Sequence, residues 1–533
     1  MKSSVLILLI AAAGCAGCNL FSSRPPVVRQ QAHPHTPPTP PMTRPAQAPA
    51  PPDVSDAVHG EPEVRIRLAA GKAQVIVQAA APLGISNAAL PPGTWTFTLA
   101  SATPASQQFH VFSKTFKPTE RAAADAFANT WRSQGYPVQI VETGKLYRSE
   151  QGQFLDNRAL WMSMARTASQ AEAERIRRDL EAKDVWAWVR TERLAPGQGK
   201  ITAAAPNHAP VLFDAPLVFT SAQPVRIAGT DAGESAAFSG AVQLAIGADS
   251  RLEVYESLPI EDYLRGVLPA EMPALWPKEA LKAQAITARS DVLVAMGSKR
   301  VLEGYHFLAT VADRAYHGTG SRHAATDAAV AETRGLVLMS NGAVVPGVFS
   351  SSCGGHTTNN DTAWYSPPDP NLRAVLDQAL PALDPLTVGV AQWLALPSQA
   401  YCRNDERYHR WSRRLTTAEV TQHLNKTYAV GTVQSIELGD RGPGGRLNWI
   451  RVSGTSGTVT IKKELPIRNA LGGLPSGLFI MRTEPGAFVF QGAGRGHGVG
   501  LCQYGAKGMA GTGSTFEQIV RHYYAAATFT KVY

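Results

Sequence analysis

The chain has 533 residues, of which 44% are hydrophobic and 17% charged, and its formal net charge is +9. That length leaves room for roughly two to four domains with full cores. The positive charge is spread out, without a long run of like charges, which excludes a nucleic-acid tract and suits loose retention on an anionic polymer.

At the start, Lys2 precedes the apolar run Val5 to Ala13, followed by small residues. Residues 1–18 therefore read as a secretory signal, too short to span a bilayer. Ala12-Ala13-Gly14-Cys15 and Ala16-Gly17-Cys18 both resemble a bacterial lipobox, so Cys15 or Cys18 is the expected lipidation site. Neither has leucine three residues upstream, which leaves the choice open, and an ordinary signal with incidental cysteines is the alternative. Either way the protein is expected to be exported, and with the lipid it is a membrane-anchored lipoprotein facing the periplasm or cell wall. Residues 19–62 are proline-rich and carry little apolar bulk, as expected of a disordered, extended linker.

Residues 63–107 carry the first strands of a core. Val64, Ile66 and Leu68 alternate with Arg65 and Arg67, and Val75 to Val77 follow Gly71, which predicts a hairpin. Trp95, Phe97 and Leu99 give another strand. The pattern then changes over 108–194 to strand, helix, strand, repeated once. The helices are expected over 119–134 and 169–183, with Ser169 and Glu172 as a capping box on the second. This is a ferredoxin-like βαββαβ layout. It resembles the SPOR (sporulation-related repeat) domain, whose members bind glycan strands stripped of stem peptides; an unrelated insertion is the alternative. Pro196 to Pro210 reads as a short Gly/Ala/Pro linker, after which strands resume. The fold class expected is α+β: a mixed multi-strand core with helices, interrupted by that module.

The chemistry concentrates in 259–293. Glu271 stands between Pro269 and Pro273, with Leu268, Met272 and Trp276 close by. Desolvation in such a corner disfavours the charged carboxylate, which is what a general acid near neutral pH needs. A structural carboxylate is the competing reading. The helix after Pro277 has a buried stripe of Leu281, Ala285, Ala288 and Val292, and Arg289 adjoins it. The glycine-rich run 494–500 lacks a GK[ST] pattern and is no P-loop. Its glycines allow unusual φ and close approach to a substrate or another strand.

Several stretches together carry a family resemblance. They are Pro269-Ala270-Glu271-Met272-Pro273 with Trp276-Pro277, the helix from Glu279 to Ile286, Tyr316 with Gly318, and Ser350 to Thr357. Tyr401-Cys402, Arg410-Trp411, Gly494 to Ala506 and His522-Tyr523-Tyr524 complete the series. In this order they closely resemble the stage II sporulation protein D / amidase-enhancer (SpoIID/LytB) domain over about 200–533. The resemblance implies peptidoglycan glycan strands as the partner and lytic transglycosylase activity without a cofactor. Glu271 matches the catalytic acid and Arg289 the family's essential arginine, as substrate holder, positioner or structural ion-pair partner. His497, Gln503, Tyr316 and His356 are the implied substrate-binding residues, with a buried structural histidine as the alternative at 497. The amidase-enhancer branch implies a different role, stimulation of a cell-wall N-acetylmuramoyl-L-alanine amidase without catalysis.

Two departures matter. Ala270 replaces the serine of the family's Pro-Ser-Glu-Met, which leaves the acid in place. The family's zinc-holding cysteine pair before the tyrosine has no counterpart in 306–316, so no metal is expected there. Cys353 and Cys402 are then expected to form a disulfide in an oxidising compartment, leaving Cys502 as a free thiol. A Cys353/His356/Cys402 metal site is the alternative.

Overall fold

Val64, Ile66 and Leu68 are fully buried while Arg65 and Arg67 are half-buried, the period-2 signature of strand Glu63–Lys72. The computed structural model describes residues 60–86, 88–148, 154–233, 236–310, 312–313, 315–378 and 383–533. The expected signal, Cys15, Cys18 and the proline-rich stretch up to residue 59 lie outside them. Helices make up 28% and strands 37%, which makes the fold α+β as expected. Among the described residues no helix is long and apolar enough to cross a membrane.

Strand Glu63–Lys72 sits in a seven-stranded sheet between Phe307–Leu308, parallel to it, and Leu252–Pro259, antiparallel, with Ile66 opposite Glu256. Strand Gln74–Ala79 belongs instead to a six-stranded sheet, pairing with Gly93–Thr103 and Val225–Ile227. The expected hairpin is therefore corrected. Gly71, at φ +67°, turns the chain out of one sheet and into the other. Both sheets turn their apolar faces to one core, where Phe97 and Phe219 stack with centroids 5.8 Å apart. Alternation reveals a strand but not its partner.

The chain leaves the six-stranded sheet at Thr103 and rejoins it at Gln198, and these two residues are paired. Between them lies a four-stranded antiparallel sheet in the order Trp188–Ala195, Ser106–Phe116, Ala159–Thr167, Gln139–Thr143. Helices α1 (Arg121–Ser133) and α2 (Gln170–Glu181) pack against it. The Ser169 hydroxyl accepts from the Glu172 N–H, but the Glu172 carboxylate accepts from Thr167 at 2.5 Å. Only the serine half of the expected capping box is seen.

Helix α3 spans Ile260–Glu271 and α4 Lys278–Met296. The stripe Leu281, Ala285, Ala288, Val292 is buried, but so are most other positions of α4. Helices α3 and α5 (Ala324–Glu332), strand Leu336–Ser340 and helix Phe516–Tyr523 pack around it. A helix covered all round can keep a charge only if that charge is paired. Arg289, with no exposed surface, donates Nε to Glu261 Oε1 at 2.7 Å and Nη2 to Oε2 at 2.8 Å. Its Nη1 donates to the Leu336 carbonyl at 3.0 Å. Glu261 also accepts from the Tyr533 hydroxyl at 2.6 Å and the Gly335 N–H at 3.2 Å. Burial works to raise the Glu261 carboxyl's pKa, but the Arg289 guanidinium and these donors hold it below the usual range.

Within 200–533, read above as one domain, residues between Trp411 and Phe490 close a separate apolar core around Leu447, Ile450 and Phe479. It is built on the sheets Trp411–Thr416/Ala487–Gly492/Phe479–Glu484 and Val433–Leu438/Trp449–Gly454/Gly457–Lys462.

Replacing Arg289 by Met leaves Glu261 buried without its cation. Guanidinium unfolding at pH 7.5 is expected to show a loss of about 3–5 kcal/mol, partly recovered by adding Glu261→Gln. A second expectation concerns pH. Burial, reinforced by the Arg65 charge, lowers the His306 pKa from 6.5 to about 3, while its Nδ1 accepts from the Arg65 N–H at 2.9 Å. The unfolded chain therefore binds the extra proton between those values, so this stabilisation is present above pH 6.5 and lost as pH falls toward 3. Between pH 6.5 and 4 the loss in unfolding free energy should be smaller in His306→Asn by roughly 2–3 kcal/mol.

Candidate active site

Glu271 is the last residue of α3 because Met272, ahead of Pro273, is forced extended (φ −141°, ψ 127°). Pro277, pre-set at φ −53°, then opens α4. Glu271 thus stands in the corner between the two helices, half-buried, with Leu268 and Met272 fully buried beside it in sequence. The corner is apolar on one side only, since Pro273 and Leu275 are exposed.

The glycine-rich motif arrives at this corner from the far end of the chain. Gln503, at the start of helix Gln503–Gly511, donates Nε2 to the Glu271 carbonyl at 2.9 Å and lies 3.5 Å from Gln284 Oε1. Next to it, Tyr504 meets Trp276 edge-on with centroids 4.8 Å apart, and Lys507 Nζ lies 5.0 Å from the Trp276 ring centroid. Both residues are half-buried, and the same ammonium lies 5.5 Å from the Tyr504 ring centroid.

The other expected site residues lie deeper. Arg289 pairs with Glu261, ten positions before Glu271 on α3 and so about 15 Å from it along the helix axis. Gln503 is buried, and its amide holds the backbone at Glu271 instead of facing outward. Tyr316, expected to bind substrate, is 1% exposed and donates to the buried Glu256 at 2.8 Å. Its ring fills the space above Gly266, where a Cβ would come within 2.6 Å, so it is a core residue. Burial raises the Glu256 pKa to about 7. His356 is also buried, with Nδ1 2.7 Å from its neighbour's carbonyl at Thr357 and Nε2 3.3 Å from Asp384. A side chain so enclosed cannot touch a polymeric sugar without rearrangement.

His497 is half-buried beside Trp364, at 4.9 Å between centroids. Its Nδ1 accepts from the Val499 N–H at 3.1 Å, which puts the neutral ring's proton on Nε2. Burial, with the Arg446 charge, lowers its pKa to about 4, so it is uncharged at neutral pH. The glycines around it serve a neighbouring strand. At Gly498 (φ +74°) a Cβ would stand 2.2 Å from the Arg446 guanidinium, and at Gly500 (φ +68°) 2.2 Å from the Val348 carbonyl. Leu501–Cys502 can then lie parallel to Phe349–Ser350.

The expected Cys353–Cys402 disulfide is not formed. The sulfurs are 3.7 Å apart, against about 2.05 Å for a disulfide, and Cys353, Cys402 and Cys502 are all free, buried thiols. Cys502 is a free, buried thiol as expected, and it shares one cluster with the other two and with Asp377. Asp377 went unnoticed in the sequence, which offers no ligand spacing to find it.

Comparison with known proteins bears on the same segments. Residues 248–339 match the family described as Stage II sporulation protein, and residues 358–500 match a domain of unknown function, DUF8618. An uncharacterized protein of Brachyspira hyodysenteriae is 29% identical over 278 residues, covering 51% of this chain and 66% of that protein. An amidase enhancer of Bacillus subtilis is 28% identical over 300 residues, covering 50% of this chain and 40% of its own. The match thus spans less than two thirds of either relative. Stage II sporulation protein D of Bacillus subtilis is 28% identical over 287 residues, covering 50% of this chain and 74% of that protein. With these matches and the ordered motifs that carry Glu271 and Gln503, the chain belongs to the stage II sporulation protein D (SpoIID/LytB) family.

Proposed function

We propose that this protein acts on peptidoglycan as a lytic transglycosylase, with Glu271 as its single general acid/base. The observation that carries this reading is the hydrogen bond from Gln503 to the Glu271 carbonyl, which joins two motifs 232 positions apart at one half-buried carboxylate. The Trp276 and Tyr504 rings beside it offer the kind of surface on which sugar rings stack. Hydrolytic glycosidases need two carboxyl groups. Lytic cleavage needs only one, because the sugar supplies its own nucleophile. Glu271 would protonate the glycosidic oxygen as the C1–O bond breaks. Its carboxylate would then take the proton from the muramic acid 6-hydroxyl as that oxygen bonds to C1. The products are a 1,6-anhydro end and a free 4-hydroxyl.

We further propose that residues 108–194 form a SPOR-like module delivering denuded glycan, a reading supported by its two helices on a four-stranded antiparallel sheet. The N-terminal lipid anchor and exported location remain part of the proposal, on the strength of the apolar run before Cys15 and Cys18. A second reading, stimulation of a cell-wall amidase without catalysis, is favoured by the similarity to the amidase enhancer.

The test is incubation of the purified protein with denuded glycan strands and mass spectrometry of the products. Wild type is expected to generate 1,6-anhydro-muramic ends, and Glu271→Gln to slow their appearance roughly 10²–10⁴-fold. Absence of such ends with both proteins would sink the enzyme reading. Faster release of stem peptides by an added amidase, equal with wild type and Glu271→Gln, would favour the second.

A further inference from the structure

We propose that Cys353, Asp377, Cys402 and Cys502 form a closed structural zinc site. One donor atom from each lies within 4.8 Å of all the others, and all four residues are fully buried. They come from four separate segments with no CxxC spacing.

The geometry suits one ion. In a tetrahedral site with Zn–S bonds of about 2.3 Å, neighbouring sulfurs stand about 3.8 Å apart. Here the Cys353 and Cys402 sulfurs are 3.7 Å apart, too far for a disulfide and too close for ligands spread around an iron–sulfur cluster. Three thiolates with one carboxylate select a borderline-soft divalent ion, and the carboxylate oxygen argues against copper(I). With four protein donors and no exposed face, the site is structural in kind.

The surroundings are built for anionic ligands. Cys502 Sγ accepts from the backbone N–H of Cys353 at 3.1 Å and of Gly505 at 3.3 Å, and Cys353 Sγ accepts from Gly355 N–H at 3.4 Å. Asp377 is oriented by the Tyr523 hydroxyl at 2.5 Å and by the Cys402 N–H at 3.1 Å. Second-shell donors of this kind aim ligands and support their charge. Two guanidinium groups stand behind them: the buried Arg446 donates to the Cys353 carbonyl at 3.1 Å and the half-buried Arg410 to the Gly354 carbonyl at 2.8 Å. His356 is turned away toward Asp384, whereas His409 Nδ1 lies 3.5 Å from Cys402 Sγ, outside the four-donor set. The site would clamp the glycine-rich loop at the residue preceding Gln503, whatever reaction the chain performs.

The test is metal analysis of the purified protein after dialysis, with thiol titration under denaturing conditions. About one zinc per chain is expected, with Cys353, Cys402 and Cys502 each labelled as a free thiol after denaturation, and its removal by chelator should lower the melting temperature, restored by zinc alone. Cobalt(II) added to the apoprotein should give a thiolate charge-transfer band and the visible bands of a tetrahedral ion. Cys502→Ser and Asp377→Asn should each change that spectrum; the asparagine variant keeps the shape of the core should the serine one fail to fold. A metal-free protein whose melting temperature and cobalt spectrum do not respond overturns the proposal. So does a Cys353–Cys402 disulfide found by peptide mapping of the native protein.

Discussion

The fork between Arg289 and Glu261 governs the architecture around the candidate site. Two opposite charges with almost no solvent access persist only when every donor and acceptor is used. Here the chain supplies partners from α3, α4, the Gly335–Leu336 backbone and its last residue, Tyr533. Elements distant in sequence must therefore converge before the charges can be buried. Once they do, the first turn of α3 is tied to the middle of α4, and the Pro273–Pro277 corner carrying Glu271 has a defined place.

The second half of the site depends on close backbone approach. Gly498 and Gly500 bring the loop against Arg446 and the Val348 strand at distances that exclude any side chain. This contact sets the register of Leu501–Cys502 beside Phe349–Ser350 and so delivers Gln503 to the Glu271 carbonyl. The cluster of three thiols and Asp377 lies directly behind that register. Packing, polar satisfaction and candidate chemistry meet within a few residues of Cys502.

Much of the candidate site was legible from residue types. Pro273 ends α3 through Met272 and Pro277 starts α4 because their constraint is local, whereas Pro269 lies inside α3. The alternations at Val64–Leu68 and Trp95–Leu99 identified strands for the same reason. Other readings failed where the missing information was a partner. Gly71 looked like a hairpin turn, yet it passes the chain between two sheets. Tyr316, His356 and Gln503 stand in motifs whose resemblance implies substrate binding, but all three are enclosed. A motif marks a constrained position without saying whether the constraint is a ligand or a core. The separate core between Trp411 and Phe490 left no periodicity strong enough to divide it from its neighbours.

The sequence by itself determined the strands at Val64–Leu68 and Trp95–Leu99, the two helices within 108–194, the helix that starts at Pro277, and the ordered motifs that identify the family. These follow from steric limits and side-chain periodicities acting over a few residues. The tertiary structure alone decided that Arg289 belongs to Glu261, that Gln503 holds the backbone of Glu271, and that Cys353 and Cys402 are thiols sharing a cluster with Cys502 and Asp377. Each of those outcomes is a long-range pairing chosen by burial, and burial is a property of the packed chain rather than of any stretch within it.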